Sequence, residues 1–257
     1  MKRLTWIAAA IILFVGTVLM ELPASLLLAL AWPDDAPVVL EDVRGTVWRG
    51  RAMQVRWRDR TLGSLAWTTR PGALLLGTLD IQLQLSGEAN AQARVLRGFR
   101  RTRIQGLEAT FPADWLQQRP AGAAVQAQGQ LRLAVPSATI EHDRVTALVG
   151  QMTWQNATLR GATSANLGTL HARFALADDQ CVHGTLRDAG GPLSATGRFV
   201  TDFASYRTDL LLAARDPRIA PAIRWLGSAD AGGRRALHFQ RGAPSGKCRA
   251  IAVPRRS

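Results

Sequence analysis

Apolar and polar residues alternate along several short stretches of this chain. Between Thr78 and Ser86, leucine or isoleucine occupies every second position, with aspartate or glutamine between them. Residues 130–135 repeat the pattern. Weaker alternation occurs at residues 55–58, 103–107, 170–176 and 197–203. A period of two is typical of antiparallel strands that bury one face, and glycine or proline interrupts it every ~8 to 14 residues. The sequence therefore predicts an all-β antiparallel meander.

A set of glycine, tryptophan and leucine positions occurs twice, roughly 105 residues apart. The first copy comprises Gly45, Trp48, Gly50, Leu62, Gly63, Trp67 and Gly77, and the second Gly150, Trp154, Leu167 and Gly168. Two duplicated β units explain this repetition, and we assign them to residues 34–140 and 141–257. The tryptophans are interpreted as core residues, with a partner-facing surface as the alternative.

Two short helices are predicted between the strands. The first begins with a proline and covers residues 112–116. The second covers residues 217–226, where Ile219, Ile223 and Leu226 follow helical spacing and Gly227 is a candidate C-cap. Pro221 keeps this second helix short.

The N-terminus combines a short basic start with a long apolar stretch. We predict residues 1–3 in the cytoplasm, residues 4–22 as a transmembrane anchor and residues 23–33 as an apolar interfacial segment. Lys2 and Arg3 precede the anchor and four acidic residues follow it within residues 34–42, so the bulk of the chain is expected on the far side. The alternative is a cleaved signal peptide, since Ala29-Leu30-Ala31 offers small residues at the required spacing.

Charge adds a preference for anionic partners. The chain of 257 residues carries 32 basic and 19 acidic side chains, a net charge of +13, and all basic residues except Lys2 and Lys247 are arginine. Such a surface favours anionic lipid headgroups, polyanionic glycans or acidic proteins. The densest run contains Arg97, Arg100, Arg101 and Arg103. It lacks the interleaved aromatics of a nucleic-acid platform, so it is interpreted as either a solvated face or an anionic-partner patch.

Candidate chemistry is limited to the two cysteines. Cys181 and Cys248 have no CxxC spacing, which argues against zinc. In an oxidising compartment they are predicted to form a disulfide, and two buried free thiols are the alternative. The histidines show no HExxH spacing. We therefore predict no catalytic residue, metal, cofactor or small-molecule substrate.

The ordered motifs resemble the type II secretion system protein N family. After the apolar N-terminal segment come GTVWRG at residues 45–50, LGSLAW at 62–67 and PGALLLG at 71–77. A second glycine–tryptophan pair, a second LG-x-L and a late apolar segment follow. The resemblance implies a single-pass inner-membrane protein with a periplasmic β domain. It further implies an accessory role in protein secretion, through contacts with other secretion-system components and without catalysis. A membrane-anchored β groove that binds or transfers lipid or lipopolysaccharide is the alternative function.

Overall fold

The chain divides into two compact units. The computed structural model describes residues 21–26, 38–58, 60–116, 126–160, 164–226, 229–242 and 248. The first unit is Met1–Phe99 and the second is Arg100–Ser257. The boundary predicted between residues 140 and 141 lies beside the tight turn that joins two long, paired strands. The assignment of two β units to residues 34–140 and 141–257 stays a prediction.

The described part of the first unit contains five strands, each antiparallel to the one before it. A 3-10 helix, Pro71–Leu76, connects the third strand to the fourth. The strands are β1 Val38–Gly45, β2 Arg49–Trp57, β3 Arg60–Thr69, β4 Leu79–Ser86 and β5 Asn90–Arg97.

The described part of the second unit contains eight strands, and successive strands again pair antiparallel. They are β6 Arg101–Pro112, β7 Gln126–Glu141, β8 Arg144–Arg160, β9 Ser164–Leu176, β10 Val182–Asp188, β11 Leu193–Thr201, β12 Tyr206–Ala214 and β13 Arg235–Arg241. Three short 3-10 helices accompany them: Ala113–Leu116, Pro217–Ile219 and Pro221–Leu226.

The prediction of an all-β antiparallel fold with short helices is confirmed. In β4 the leucine and isoleucine side chains are half-buried, while Gln82 and Gln84 are exposed. Asp80 departs from this pattern, because it lies on the polar side of the alternation and is nevertheless buried. In β7 the alternation predicted for residues 130–135 is present, with Leu131 and Val135 buried, but the strand extends well beyond them.

The predicted helices are shorter than expected. Ala113–Leu116 forms one 3-10 turn. The helix predicted for residues 217–226 is split into two 3-10 turns, because Pro221 has no amide hydrogen with which to continue the first. Its candidate cap, Gly227, lies outside the described residues.

The predicted anchor at residues 4–22 lies outside the described residues except for its last two, and the interfacial segment at 23–33 is described only for its first four. Within the described parts of the chain, no helix combines the length and apolar character needed to cross a membrane.

The hydrophobic core of the second unit lies under its late 3-10 turns. Ile219 and Ile223 from these turns are buried against side chains of four strands. Their buried partners are Ala157, Leu167, Leu170, Leu193, Ala195 and Leu212. The turns thus cover one face of β8, β9, β11 and β12.

Each unit contains the same pair of register shifts at its Leu-Gly motif. In the first unit Ala52 pairs with Leu65 and Val55 with Gly63, so β2 has an extra residue there. The next pair, Arg56 with Thr61, leaves Leu62 as an extra residue on β3. Such paired β-bulges bend both strands and increase their twist.

The second unit repeats this arrangement. Trp154 pairs with Leu170, Ala157 with Gly168 and Thr158 with Asn166, so Leu167 takes the place that Leu62 has in the first unit. The Leu-Gly motifs identified in the sequence are therefore equivalent in register. The same register places Ala52, and not Trp48, at the position of Trp154. Duplication of a β unit stays a prediction.

Candidate binding surface

Strands β8 to β13 have one face toward the core and one face away from it. On β9, Leu170 and Ala172 are buried, whereas the alternating His171 and Arg173 are exposed. We call the face away from the core the outer face. Directly paired residues of neighbouring strands lie on the same face. The central row of the outer face is Gln151, Arg173, Thr185, Arg198, Asp209 and His238.

Four arginines on successive strands form what we call the arginine array: Arg173 on β9, Arg187 on β10, Arg198 on β11 and Arg207 on β12. Arg173 and Arg198 both lie opposite Thr185, which separates their backbones by about 10 Å, two strand spacings. Arg187, Arg198 and Arg207 each lie one strand over and two residues along from the last, a diagonal separation of about 7–8 Å.

Few carboxylates compensate the array. Asp209 belongs to the central row, and its Oδ1 lies 2.6 Å from Nδ1 of His238. Within the described chain, Arg173, Arg187 and Arg207 make no side-chain ion pair. The outer face is therefore basic at neutral pH.

A groove of about 680 Å³ opens over β8 to β11 beside the array. Val149 and Ala175 contribute apolar surface, and Val149 is 53% exposed. Arg173 and Arg198 also line the groove. The groove combines an apolar floor with a cationic margin, which suits a ligand that has both apolar and anionic groups.

His183 lines the same groove, and the Asp179 carboxylate contacts one of its two ring nitrogens. Its Nε2 lies 2.8 Å from Oδ2 of Asp179. Its Nδ1 is buried and has no hydrogen-bond partner among the described residues. Two residues earlier, buried Cys181 is joined to Cys248 by a disulfide, with the Cα atoms 5.7 Å apart. This bond ties Cys248 to the residue that precedes β10.

Two buried carboxylates act in strand positioning. Asp80 accepts two hydrogen bonds from Arg94, at 2.9 and 2.7 Å, and one from Arg70 at 3.4 Å. The hydrogen bond from Arg94 lowers the pKa of the Asp80 carboxyl, and the positive charges of both arginines lower it further against the effect of burial. This cluster connects β4 to β5 and to the residue that follows β3.

Asp188 positions strands in the same way at the end of β10. Burial raises its pKa, but hydrogen bonds from Arg215 and from the backbone N–H groups of Ala195 and Gly190 outweigh it, and the pKa falls to about 2. Arg215 also donates to the carbonyl oxygens of Gly191 and Leu193. The ionised carboxylate therefore holds the β10–β11 turn against the end of β12.

No cluster of three or more histidine, cysteine, aspartate or glutamate side chains suited to a metal ion occurs in the described residues. The array and groove, with their charges and apolar floor, are instead suited to noncovalent binding.

A match over most of the chain decides the family. The family model for type II secretion system (T2SS), protein N matches residues 36–238. The chain belongs to this family. The match includes residues of both compact units, all of β1 to β12 and the first four residues of β13.

Individual protein N sequences agree with this assignment. The type II secretion system protein N of Vibrio cholerae is 32% identical over 62% of this chain and 65% of its own length. That of Pectobacterium carotovorum is 27% identical over 85% and 88%, and that of Klebsiella pneumoniae is 35% identical over 59% and 58%. The chain thus spans less than two thirds of the Vibrio and Klebsiella proteins. No solved structure matches it.

The residues that suggested the family from the sequence lie in turns and within strands. Gly45 pairs with Gly50 across the β1–β2 turn that contains Trp48, and Gly77 follows the 3-10 helix. The others lie within strands: Leu62, Gly63 and Trp67 in β3, Gly150 and Trp154 in β8, and Leu167 and Gly168 in β9. Of these, Gly150 lines the groove.

The three motif tryptophans are half-buried. The indole N–H of Trp67 donates to the carbonyl oxygen of Thr46 at 3.2 Å, and that of Trp154 donates to Gln128 at 2.9 Å. The rings of Trp67 and Trp154 therefore fix a neighbouring turn or strand, whereas a partner-facing role stays a prediction.

The predicted basic run is exposed and continues across the boundary between the two units. Arg97 ends β5, Arg100 begins the second unit, and Arg101 forms an ion pair with Glu141. Arg103 is exposed on β6. Binding of an anionic partner here stays a prediction. Sequence reasoning missed the arginine array, because its members lie in four different strands and come together only through register.

Proposed function

We propose that this chain is an accessory component of a type II secretion system that acts through protein–protein contacts. The observation that carries the proposal is the match of residues 36–238 to protein N, which covers β1 to β12 and the start of β13. The relatives named above are type II secretion system proteins N. The proposal assigns the chain no catalytic step and no cofactor.

We further propose that residues 4–22 anchor the chain in the inner membrane with the N-terminus in the cytoplasm. Lys2 and Arg3 precede this apolar stretch, and Asp34, Asp35, Glu41 and Asp42 follow it. The disulfide between Cys181 and Cys248 supports a periplasmic location of the second unit, because disulfides persist in oxidising compartments.

The fold supports contact through surfaces that strand packing leaves open. The core side of β8, β9, β11 and β12 is occupied by the late 3-10 turns, so the outer face is the one available to partners. β13 pairs with β12 on one side, and a terminal strand of this kind can accept a further strand through main-chain hydrogen bonds.

Site-specific crosslinking in cells that carry the secretion operon tests the contacts. We expect the full-length chain to capture at least one other secretion-system component, and its deletion to reduce export of secreted proteins. If no component is captured and deletion leaves export unchanged while altering outer-membrane lipid content, the proposal is wrong.

A fusion and fractionation experiment tests the anchor. Alkaline phosphatase fused after Ser257 should be active, because the fusion point is expected in the periplasm, and the full-length product should sediment with membranes. A soluble product that lacks its N-terminal residues through Ala31 would instead establish cleavage of a signal peptide.

A further inference from the structure

We propose that the arginine array and the adjoining groove bind an acidic, extended polypeptide segment that carries a large apolar residue. This inference rests on the proposed function, since it assigns one of the protein contacts to a defined surface. The occupant is deduced from the charge, spacing and apolar floor of the outer face.

Charge complementarity is the first argument. Arg173, Arg187 and Arg207 make no ion pair with a described side chain, and Asp209, the acidic residue of the central row, already lies beside His238. The guanidinium groups of these three arginines therefore have no carboxylate partner among the described side chains. Arginine binds carboxylates in a planar, bidentate geometry that favours such contacts over lysine.

Spacing is the second argument. Arg187, Arg198 and Arg207 form a straight diagonal across three strands, with about 7–8 Å between successive members. In an extended polypeptide, residues on one side repeat every ~6.6–6.8 Å. Acidic side chains at alternate positions of an extended segment can therefore reach successive arginines without a change in backbone conformation.

The groove supplies the third argument. Val149 and Ala175 contribute apolar surface to a recess beside Arg173. An apolar side chain from the bound segment would cover this recess while its acidic neighbours contact the array. A buried apolar anchor within a charged surround is a common arrangement at protein interfaces.

A membrane surface fits these features less well. Membrane-binding proteins place apolar side chains outward so that they enter the headgroup region, whereas the apolar residues here include a recessed floor on the face of a sheet. Anionic vesicles nevertheless provide the necessary comparison, because phosphate and carboxylate both bind arginine.

The binding experiment uses the full-length chain in detergent and a labelled peptide in which glutamate alternates with threonine around one leucine. The test variant is Arg187→Glu with Arg207→Glu. The matched control is Arg49→Glu with Arg51→Glu, which changes the net charge equally on exposed residues of β2, outside the array and outside the predicted basic run. We expect the test variant to bind about ten-fold more weakly or worse, and the control to bind within about two-fold of the wild type.

Three results would overturn the inference. Equal loss in the test and control variants would mean that net charge alone attracts the peptide. Equal binding of a peptide with glutamine in place of glutamate would remove the role of charge, and binding only to phosphatidylglycerol vesicles would identify a lipid surface instead. A milder variant, Arg187→Gln with Arg207→Gln, should also weaken binding and keeps the test valid if the reversed variant does not fold.

Crosslinking separates failure of this inference from failure of the proposed function. A photoreactive residue replacing exposed Thr185, between Arg173 and Arg198, should capture an acidic segment of a secretion-system component. Capture from exposed Gln84 of the first unit, but never from position 185, would overturn the inference and leave the proposed function intact. Capture of no secretion-system component from any position would reject both.

Discussion

The two Leu-Gly bulges, which we call corners, lie at Leu62-Gly63 on β3 and at Leu167-Gly168 on β9. They have the same register but are stabilised differently. A Cβ added to Gly63 would lie 2.1 Å from the carbonyl oxygen of Ser86 and 2.7 Å from Gly87 Cα. At Gly168 the nearest atom, Gly191 Cα, is 3.1 Å away. The first corner is closed by direct backbone contact. The second is more open and is supported by the hydrogen bonds of Asp188 and Arg215.

The comparison shows that one bulge geometry can be maintained by different forces. Backbone contact excludes any side chain but needs no charged group. A buried carboxylate tolerates a looser turn, but it depends on ionisation and on its arginine. The second unit also has a covalent link, between Cys181 and Cys248. We therefore expect the units to respond differently to reduction, substitution and acid.

Loss of the disulfide should have the largest effect. The bond joins residues 67 positions apart, and chain entropy assigns closure of such a loop a stabilisation on the order of 4 kcal/mol. Replacing Cys181 and Cys248 together by serine should increase amide hydrogen exchange in β9 to β12 and leave β2 to β4 unchanged. Equal exchange in the wild type and the variant, or free alkylatable thiols in periplasmic protein, would contradict this expectation.

Alanine substitution at Gly63 and at Gly168 should have the next largest effects, and the two losses of stability should differ. Both have positive φ, 128° at Gly63 and 85° at Gly168, so both substitutions are strained. Gly63→Ala adds a clash with backbone atoms and should cost on the order of 3 kcal/mol or more, whereas Gly168→Ala should cost about 1–2 kcal/mol. Denaturant unfolding measures both, and a larger loss at Gly168 would reverse the proposed difference.

Acid should weaken the Asp188 corner. The folded pKa, about 2, lies below that of an unfolded aspartate, about 3.9. The contribution is therefore complete above pH ~4 and is lost as the pH falls toward 2. Asp188→Asn should cost about 1–2 kcal/mol at neutral pH and reduce the loss of stability between about pH 4 and 2.

Substitutions at two other aspartates serve as comparisons for the acid profile of Asp188→Asn. Asp80→Asn should act in the same direction within the first unit, because Arg94 and Arg70 lower the pKa of Asp80. Asp143→Asn is the matched control, since Asp143 is exposed in a turn at φ 61°, which asparagine tolerates. An unchanged acid profile for Asp188→Asn would show that this carboxylate does not stabilise the corner.

Phenylalanine in place of tryptophan should have the smallest effect. Trp67→Phe and Trp154→Phe retain most of the ring but remove the hydrogen bonds to Thr46 and Gln128. Each should cost about 1 kcal/mol, the usual contribution of one hydrogen bond. Thermal unfolding of the two variants checks this, and a cost below the error of measurement in both would mean that the indole N–H groups do not fix the neighbouring strands.

Several features of this fold follow from local sequence. The alternation in β4 and β7 predicted strands because successive side chains of a strand point to opposite faces. The repeated Leu-Gly pairs predicted equivalent local structure, since glycine adopts the positive φ that such a bulge requires. Pro221 limited the length of the helix predicted for residues 217–226, and this too is a local property.

Pairing between strands decided the rest. Asp80 is polar by sequence and buried in the fold because Arg94 and Arg70 surround it. The run from Arg97 to Arg103 is dense in sequence, yet Arg101 is paired with Glu141 and the run crosses the boundary between the units. The four members of the arginine array, by contrast, form no dense run in the sequence. Period-two alternation determines the face on which a residue lies, but bulges and strand register determine its cross-strand neighbours, and these are properties of the folded sheet.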